Sequence, residues 1–124
     1  MFFYEWEPSH EIFRTVVIGP ITREDIQQHI ERVARARWFG RAELIDARAA
    51  IGSLSVSDLR TLASQFRQVS ASATPAPRAV VVEELLNYCL ARLFSNLVTG
   101  PARFEVFRTE AAARRWLRKH VSES

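Results

Sequence analysis

The segment between residues 104 and 117 constrains the fold most, because it holds a strand, a helix cap and an amphipathic helix within fourteen residues. Phe104, Val106 and Phe107 favour a strand, and Thr109 is suited to cap the helix that follows. The apolar face of that helix has helical spacing and consists of Ala112, Ala113, Trp116 and Leu117. Such a unit closes many small α/β domains, so we expect this face to pack on a β-sheet.

Extended and helical patterns alternate along the rest of the chain. They predict strands over residues 2–7, 11–18, 42–47 and 78–82, and helices over residues 23–37, 56–69 and 83–98. Gly19-Pro20, Gly40 and Gly100-Pro101 are expected to end the elements that precede them. The order ββαβαβαβα predicts an α/β fold with a five-stranded mixed sheet, an opening antiparallel hairpin, parallel later strands and four helices.

The composition is that of an ordinary globular protein, with 48% hydrophobic and 25% charged residues in a chain of 124. This length fits a single domain over residues 1–124. Cys89 is the single cysteine, so an intrachain disulfide is excluded. The acidic N-terminus is unlike a signal peptide, and no apolar run approaches the roughly 20 residues that span a bilayer. We therefore expect a cytoplasmic protein with no membrane span.

The net charge of +3 is modest, although the sequence pI is about 9.7. The basic residues gather in two regions, which are Arg32, Arg35, Arg37 and Arg41, and Arg114, Arg115, Arg118 and Lys119. Both regions would contact phosphates together if the helices that carry them lie side by side. Acidic residues are interspersed in both, which is typical of solvated helix faces, so we do not expect a nucleic-acid partner.

The loop before the second predicted helix contains three serines, Ser53, Ser55 and Ser57. Ser55 and Asp58 have the spacing of a capping box, as do Thr22 and Asp25 before the first helix. A phosphate on any of the three serines would also be favoured by the helix dipole. Capping and regulatory phosphorylation are therefore the two interpretations of this loop, and capping is the commoner role of serine there.

Three further residues are candidates for ligand or partner contact. Asp46 lies at the predicted carboxyl end of a parallel strand, where open α/β sheets place groups that contact ligands. The alternative is an ion pair with the nearby Arg48. Trp38 and Phe39 follow the first helix and would line a pocket mouth or a contact surface, because aromatic residues on loops are enriched at binding sites.

The helix predicted over residues 83–98 is apolar around about 220° of its circumference at 100° per residue. This arc is wider than contact with one sheet requires. Either the helix is wedged deeply between neighbours, or one side of it, including Leu93 and Phe94, binds a partner or a second copy of the chain.

Signatures of catalysis and of metal binding are missing from the sequence. His10, His29 and His120 include no pair at the i, i+4 spacing of two ligands on one helix face. Cys89 is expected to be buried and inert, and neither it nor His29 has a recognisable flanking motif. A glycine-rich phosphate loop and a nucleophile elbow are also lacking. We therefore expect a protein that is not an enzyme, with no metal and no cofactor.

Four stretches together resemble the SpoIIAA-like family of STAS-type domains. They are Gly19-Pro-Ile-Thr-Arg-Glu-Asp25, Glu43-Leu-Ile-Asp46, Ala79-Val-Val-Val82 and Val106-Phe-Arg-Thr-Glu-Ala-Ala-Ala-Arg-Arg-Trp-Leu117. The resemblance spans nearly the whole chain. It implies a cytoplasmic α/β module that binds, and does not turn over, its target, related to anti-sigma-factor antagonists and more distantly to lipid-carrying CRAL-TRIO-type domains.

Antagonists of this kind carry a phosphorylatable serine in an Asp-Ser-Ser-Gly-like loop. The matching region here, residues 46–58, lacks that motif, which argues against switching by a kinase. Our leading hypothesis is a non-catalytic interaction or regulatory module of the bacterial cytoplasm that binds a partner protein or itself through the third helix and adjacent loops. The alternative is a carrier that encloses an apolar small molecule or lipid between sheet and helices.

Overall fold

The predicted alternation of strands and helices is confirmed in a computed structural model of the chain, which describes residues 1–52, 54–71, 76–98 and 103–121. The described residues form five strands and four helices in the predicted order. Their bounds are β1 Phe2–Glu7, β2 Ile12–Ile21, α1 Arg23–Arg35, β3 Ala42–Gly52, α2 Val56–Ser70, β4 Arg78–Val81, α3 Leu85–Leu97, β5 Phe104–Phe107 and α4 Glu110–Val121.

The strands form one mixed sheet in the order β1-β2-β3-β4-β5. β1 and β2 are antiparallel, from Phe2 opposite Val17 to Glu7 opposite Ile12, and the remaining neighbours are parallel. Each parallel connection advances by one strand in the same direction. Since such connections are right-handed, α1, α2 and α3 cover the same face of the sheet. α4 follows the last strand and packs on the opposite face.

Alternate residues of the strands fill the two resulting layers. On the first face, Phe13 packs with Val33 of α1 and with Leu62 and Phe66 of α2. The opposite layer places Ala113 and Leu117 of α4 against small and branched strand residues, namely Ile12, Ala42, Leu44, Ala79 and Val81. The expected packing of the C-terminal apolar face on the sheet is therefore confirmed.

Local capping signals in the sequence are also confirmed. Thr22 and Asp25 form a capping box at α1, and Ser55 and Asp58 form one at α2. At α4 the Ala112 backbone N–H donates to Thr109 Oγ1 over 3.2 Å. Each cap satisfies backbone N–H groups that the first turn of a helix leaves without a partner.

The boundaries around β2 and β3 were predicted wrongly. Gly19-Pro20 does not end β2, which continues to Ile21, and β3 continues from Ala47 to Gly52 because the two strands stay paired there. Gly19 has a positive φ of 80°. Pro20 lies outside the part of β2 that pairs with β1, which runs from Ile12 to Val17 and is followed by the hydrogen bond from the Ile18 N–H to the Met1 carbonyl.

The first helix ends earlier than predicted. α1 stops at Arg35, and Arg37 adopts a left-handed φ of 60° before Gly40 is reached. The Trp38 N–H donates to the Val33 carbonyl over 2.9 Å, which closes the last turn of the helix. The Gly100-Pro101 pair lies outside the described residues. In the part of the chain that the structure describes, every helix is too short or too polar to cross a bilayer.

Candidate functional site

A cavity of about 180 Å³ lies between the sheet and the layer of α1, α2 and α3. Its walls are mainly apolar. The sheet contributes Val17, Ile45 and Val80, and the helices contribute Ile30, Leu62 and Phe94, among others. The α4 face does not reach this space, because α4 packs on the other side of the sheet.

An irregularity in β3 shapes one end of the cavity. Val16 and Ile18 of β2 are opposite Asp46 and Ala49 of β3, so β3 carries one extra residue there. Such a bulge resets the alternation of side chains along the strand. Ala47 lines the cavity in regular alternation with Glu43 and Ile45, whereas beyond the bulge Ala50 and Gly52 line it.

The end of the cavity at the carboxyl edge of the sheet is formed by Ile21, Gly52, Leu54 and Asn87. Gly52 is exposed, and a Cβ at this position would lie 3.7 Å from Asn87 Oδ1. We place the mouth of the cavity here. Open α/β sheets bind ligands at this edge of the strands.

Four polar residues on the cavity side of the sheet and α1, Thr15, His29, Glu43 and Arg78, form a cluster that we term the polar floor. Glu43 is 2% exposed, Arg78 1% and Thr15 0%. Thr15 Oγ1 donates to Glu43 Oε2 over 2.7 Å, and His29 Nε2 lies 2.9 Å from the same oxygen. His29, Glu43 and Arg78 also line the cavity.

The Arg78 guanidinium is held by backbone carbonyls. One terminal nitrogen donates to Phe39 O over 3.2 Å and to Ala76 O over 2.6 Å, and the other donates to Trp38 O over 3.1 Å. The group also lies over the Phe39 ring. Its Nε lies 3.4 Å from Glu43 Oε1 and forms no hydrogen bond with any described residue.

Glu43 lies at the centre of the charged contacts of the polar floor. Burial alone would raise the pKa of Glu43, but the adjacent His29, Arg78 and the Thr15 hydroxyl outweigh it and keep this pKa below its ordinary value. Burial lowers the pKa of Arg78, and Glu43 opposes that shift. An arginine remains charged even so, because its ordinary pKa is far above neutrality. Glu43 and Arg78 therefore form a buried ion pair.

Both ring nitrogens of His29 are engaged. The Tyr4 hydroxyl lies 2.8 Å from Nδ1, and Nε2 faces Glu43. In either charge state of the ring the Nε2–H donates to Glu43, and Nδ1 shares a hydrogen bond with the Tyr4 hydroxyl. Burial raises the pKa of Tyr4, so its hydroxyl keeps its proton. This arrangement leaves no imidazole nitrogen to act as a base toward a molecule in the cavity.

A second polar cluster lies on the opposite face of the sheet and comprises Glu7, Arg14, Asp46, Arg48, Glu110 and Arg114. We call it the ionic cluster. Asp46 accepts from Arg14 over 2.7 Å and from two nitrogens of Arg48 over 2.9 and 2.8 Å. Arg14 and Arg48 both reach Glu110, at 3.1 Å each. These ion pairs link the first residue of α4, Glu110, to Arg14 of β2 and to Asp46 and Arg48 of β3.

The outer part of the ionic cluster reaches β1. Arg114 donates to both carboxylate oxygens of Glu7, over 2.9 and 3.0 Å, and to Glu110 over 2.9 Å. The Arg114 hydrogen bond keeps the pKa of Glu7 below its ordinary value, and that from Arg48 does the same for Asp46. Three carboxylates thus offset three guanidinium groups.

Comparison with known proteins identifies the fold. No family model matches the chain, and none of the curated proteins does. A crystal structure of an uncharacterized protein from Shewanella loihica PV-4, of the DUF3478 family and described as having a SpoIIAA-like fold, covers 94% of this chain and 92% of its own. The TM-score is 0.59 at 19% sequence identity. This chain has a SpoIIAA-like fold.

Within the SpoIIAA-like fold, the two basic regions lie apart. One is on and after α1 and the other on α4, and these helices cover opposite faces of the sheet. They therefore do not form the joint phosphate-binding surface that side-by-side helices would give. Arg32 lies over the Tyr4 ring, Arg41 over Trp6, and Arg114 is neutralised by Glu7 and Glu110.

The structure assigns local contacts to several candidate residues. Ser55 caps α2, and the Ser57 backbone carbonyl accepts from Thr61 Oγ1, whereas Ser53 lies outside the described residues. Asp46 occurs in the middle of β3 and not at its end, and its partners include the expected Arg48.

Trp38 and Phe39 belong to the core on the cavity side of the sheet. The Trp38 ring packs on Phe13 and Tyr4, while Phe39 is buried, lines the cavity and meets Phe66 edge-on.

The third helix is shallower than the wedged arrangement that the sequence allowed. None of its residues, all of which the structure describes, is fully buried. Phe94 faces inward, where it lines the cavity and packs against Phe66 and Phe104. Leu93 is half-buried, and Cys89 is exposed, which corrects the expectation of a buried cysteine.

The polar floor was missed from the sequence. The sequence pattern places Glu43 and Arg78 in predicted strands, and it offers His29 only as a candidate metal ligand or base. Glu43 and Arg78 are direct neighbours across the parallel β3–β4 pair. The available signal was a charged residue at the start of each of two apolar runs, since a charge inside a central sheet needs a partner.

Replacing Asp46 tests the ionic cluster. We expect Asp46→Asn to lower the free energy of unfolding by about 1–2 kcal/mol at pH 7, because two arginines lose their carboxylate. The pKa of Asp46 lies below its ordinary value only in the folded state, so its stabilising effect is complete above about pH 5 and disappears as the pH falls below about 4. Urea unfolding between pH 7 and pH 3 measures the difference.

The matched control is Glu31→Gln on the exposed side of α1, which we expect to change stability by less than about 0.5 kcal/mol. A difference between wild type and Asp46→Asn that stays constant down to pH 3 would contradict the assignment.

A double-mutant cycle tests the buried ion pair. Glu43→Gln leaves the Arg78 charge without its carboxylate, so we expect a loss of about 3–5 kcal/mol. The cost of Glu43→Gln should be smaller by at least about 1 kcal/mol when Arg78 is already Met. Urea unfolding of the four proteins at pH 7 gives the coupling.

Glu105→Gln is the control, because its ion pair with Arg92 at 2.7 Å is exposed and should contribute less than about 1 kcal/mol. Additive costs in the cycle would show that Glu43 and Arg78 are not coupled.

Proposed function

We propose that this chain is a non-catalytic binding module of the bacterial cytoplasm that takes a small apolar molecule into the cavity between the sheet and α1, α2 and α3. The observation that carries the proposal is the cavity itself, with a volume of about 180 Å³ and mainly apolar walls. A closely packed interior holds few voids larger than a water molecule. A space of this size therefore favours binding over simple packing.

The volume limits the size of the ligand. An engineered apolar cavity of roughly 150 Å³ accepts benzene, whereas pockets for drug-sized ligands measure roughly 300–1,000 Å³. At about 180 Å³ this cavity fits a single ring with a small substituent. A long acyl chain would need a larger space, so the small-molecule form of the carrier hypothesis is favoured over the lipid form.

The contacts of the polar side chains favour binding over turnover. Both nitrogens of His29 are engaged, and Asp46 is held by two arginines on the opposite face of the sheet. Cys89 is exposed and does not line the cavity. Acid–base or nucleophilic catalysis needs a free base or nucleophile within reach of the substrate. His29, Asp46 and Cys89 are the best candidates by residue type, and none of them meets this requirement.

Binding of toluene tests the proposal. We expect toluene to shift backbone amide resonances of residues that line the cavity, such as Ile45 and Leu62, and to raise the melting temperature, because it binds only the folded state. Ala47→Leu places a larger side chain in the cavity and should abolish both effects. Two-dimensional NMR titration and thermal unfolding measure them.

Ala49→Leu is the matched control, since Ala49 is in the same strand, is exposed and does not line the cavity. It should bind toluene as the wild type does. Wild-type protein that shows no resonance shift at saturating toluene would refute a binding cavity.

A second candidate function, self-association through α3, rests on a different observation. Leu85 and Leu86 in the first turn of α3 are 65% and 62% exposed. At 100° per residue they share the outward side of the helix with Cys89 and Leu93, away from the cavity side that holds Leu90 and Phe94. This outward stripe would bury its apolar surface against the same stripe of a second copy, in a two-fold symmetric contact.

Light scattering after size-exclusion chromatography tests this second candidate. We expect a concentration-dependent dimer that Leu86→Glu converts to monomer, because a carboxylate is costly to bury in an apolar contact. Val56→Glu, at another exposed apolar position, is the control and should leave the dimer intact. A wild-type protein that is monomeric at every accessible concentration would remove this candidate.

A further inference from the structure

We infer that the molecule bound in the cavity is an aromatic carboxamide, whose ring lies inside and whose amide group forms hydrogen bonds with the side-chain amide of Asn87 at the mouth. This inference rests on the proposed function, because it requires that the cavity bind a small molecule. It adds the chemical class of that molecule, its orientation and the residue that recognises it.

The first support is that the inner end of the cavity has no polar group to spare. Among the described residues, four polar side chains line the cavity, those of His29, Glu43, Arg78 and Asn87. The first three make their contacts within the polar floor, with Tyr4 or with backbone carbonyls. Glu43 and Arg78 are also only 2% and 1% exposed. A polar group of the ligand therefore gains little at this end, whereas a ring loses nothing there.

The second support is the free amide of Asn87. Asparagine near the start of a helix often bonds to the backbone, yet in the described part of the chain the Asn87 side chain forms no hydrogen bond. It is half-buried and lines the mouth. Its Oδ1 would lie 3.7 Å from a Cβ at Gly52, so it faces a residue with no side chain to cover it. A ligand group at the mouth can therefore reach the amide.

The chemistry of this amide selects the class of ligand. The Asn87 side chain offers N–H donors and a carbonyl acceptor in one plane. A carboxamide on the ligand pairs with both at once, since its N–H donates to Asn87 Oδ1 while its carbonyl accepts from Asn87 Nδ2. A ketone can make only the second of these hydrogen bonds, and a hydrocarbon makes neither. The cavity volume of about 180 Å³ accommodates the ring.

The experiment titrates benzamide and toluene separately into the wild-type protein and into Asn87→Leu at pH 7, followed by two-dimensional NMR. Leucine is close to asparagine in shape but has no hydrogen-bonding group. We expect Asn87→Leu to weaken the binding of benzamide about fivefold, because the hydrogen bonds at the mouth are lost, and not to weaken the binding of toluene.

The matched control is Asn96→Leu, because Asn96 is in the same helix, is exposed and does not line the cavity. It should leave the affinity for both molecules unchanged. The side-chain N–H resonances of Asn87 give a second readout that requires no substitution. They should move downfield when benzamide is added to the wild-type protein, as donation to a carbonyl predicts, and toluene should not move them downfield.

Three results would overturn the inference and leave the cavity as a binding site. They are a benzamide affinity that Asn87→Leu does not change, an equal loss for benzamide and toluene, and binding of toluene without binding of benzamide. Asn87 N–H resonances that do not move downfield with bound benzamide would overturn it as well. If neither molecule binds to the wild-type protein, both the inference and the proposed function fail.

Discussion

The buried ion pair of Arg78 and Glu43 joins parts of the molecule that would otherwise meet only through apolar contacts. Arg78 stands at the start of β4 and Glu43 near the start of β3, as direct neighbours in the sheet. The guanidinium also holds the carbonyls of Trp38 and Phe39, which connect α1 to β3. Burying two charges is costly. The ion pair nevertheless fixes the relative positions of β3, β4 and the segment after α1, because only one arrangement satisfies all of these groups together.

The same ion pair explains how an apolar cavity can have a polar end. Small and branched side chains, such as Ala47 and Val80, leave space beneath α2 and α3, whereas the polar floor keeps its position through several fixed contacts. A cavity lined only by flexible aliphatic groups would tend to be filled by rotation or by movement of a helix. Here the His29, Thr15 and Arg78 contacts of Glu43 hold one wall in place.

Prediction from sequence succeeded where the signal is local. The pairing of Ser55 with Asp58 depends on two side chains three residues apart, and the C-terminal apolar face is visible within one helix. It failed at Pro20, because the pairing of β1 with β2 leaves this residue outside it, and that pairing is not visible in the local sequence. The bulge after Asp46 likewise depends on the partner strand, and the cavity residues beyond it could not be assigned to a face.

The polar floor shows the same limit for function. Glu43 and Arg78 are far apart in the sequence, and each alone is an ordinary charged residue beside an apolar run. They form a buried ion pair because the register of β3 and β4 places them side by side. The alternating pattern of the sequence does not specify that register. The predicted position of Asp46 was equally misleading, because β3 continues beyond it and its neighbours Arg14 and Arg48 make it part of the ionic cluster and not part of a pocket.

The third helix brings these constraints together. An apolar arc of about 220° is more than one contact can use, and α3 divides it between the cavity wall and the outward stripe. None of its residues, all of them described, is fully buried, so α3 is held less deeply than α2, which contributes Leu62, Ala63 and Phe66 to the core. Asn87, in its first turn, lies at the mouth, beside the exposed Leu85 and Leu86. A partner bound to the outward stripe would therefore contact the same helix that forms one wall of the cavity.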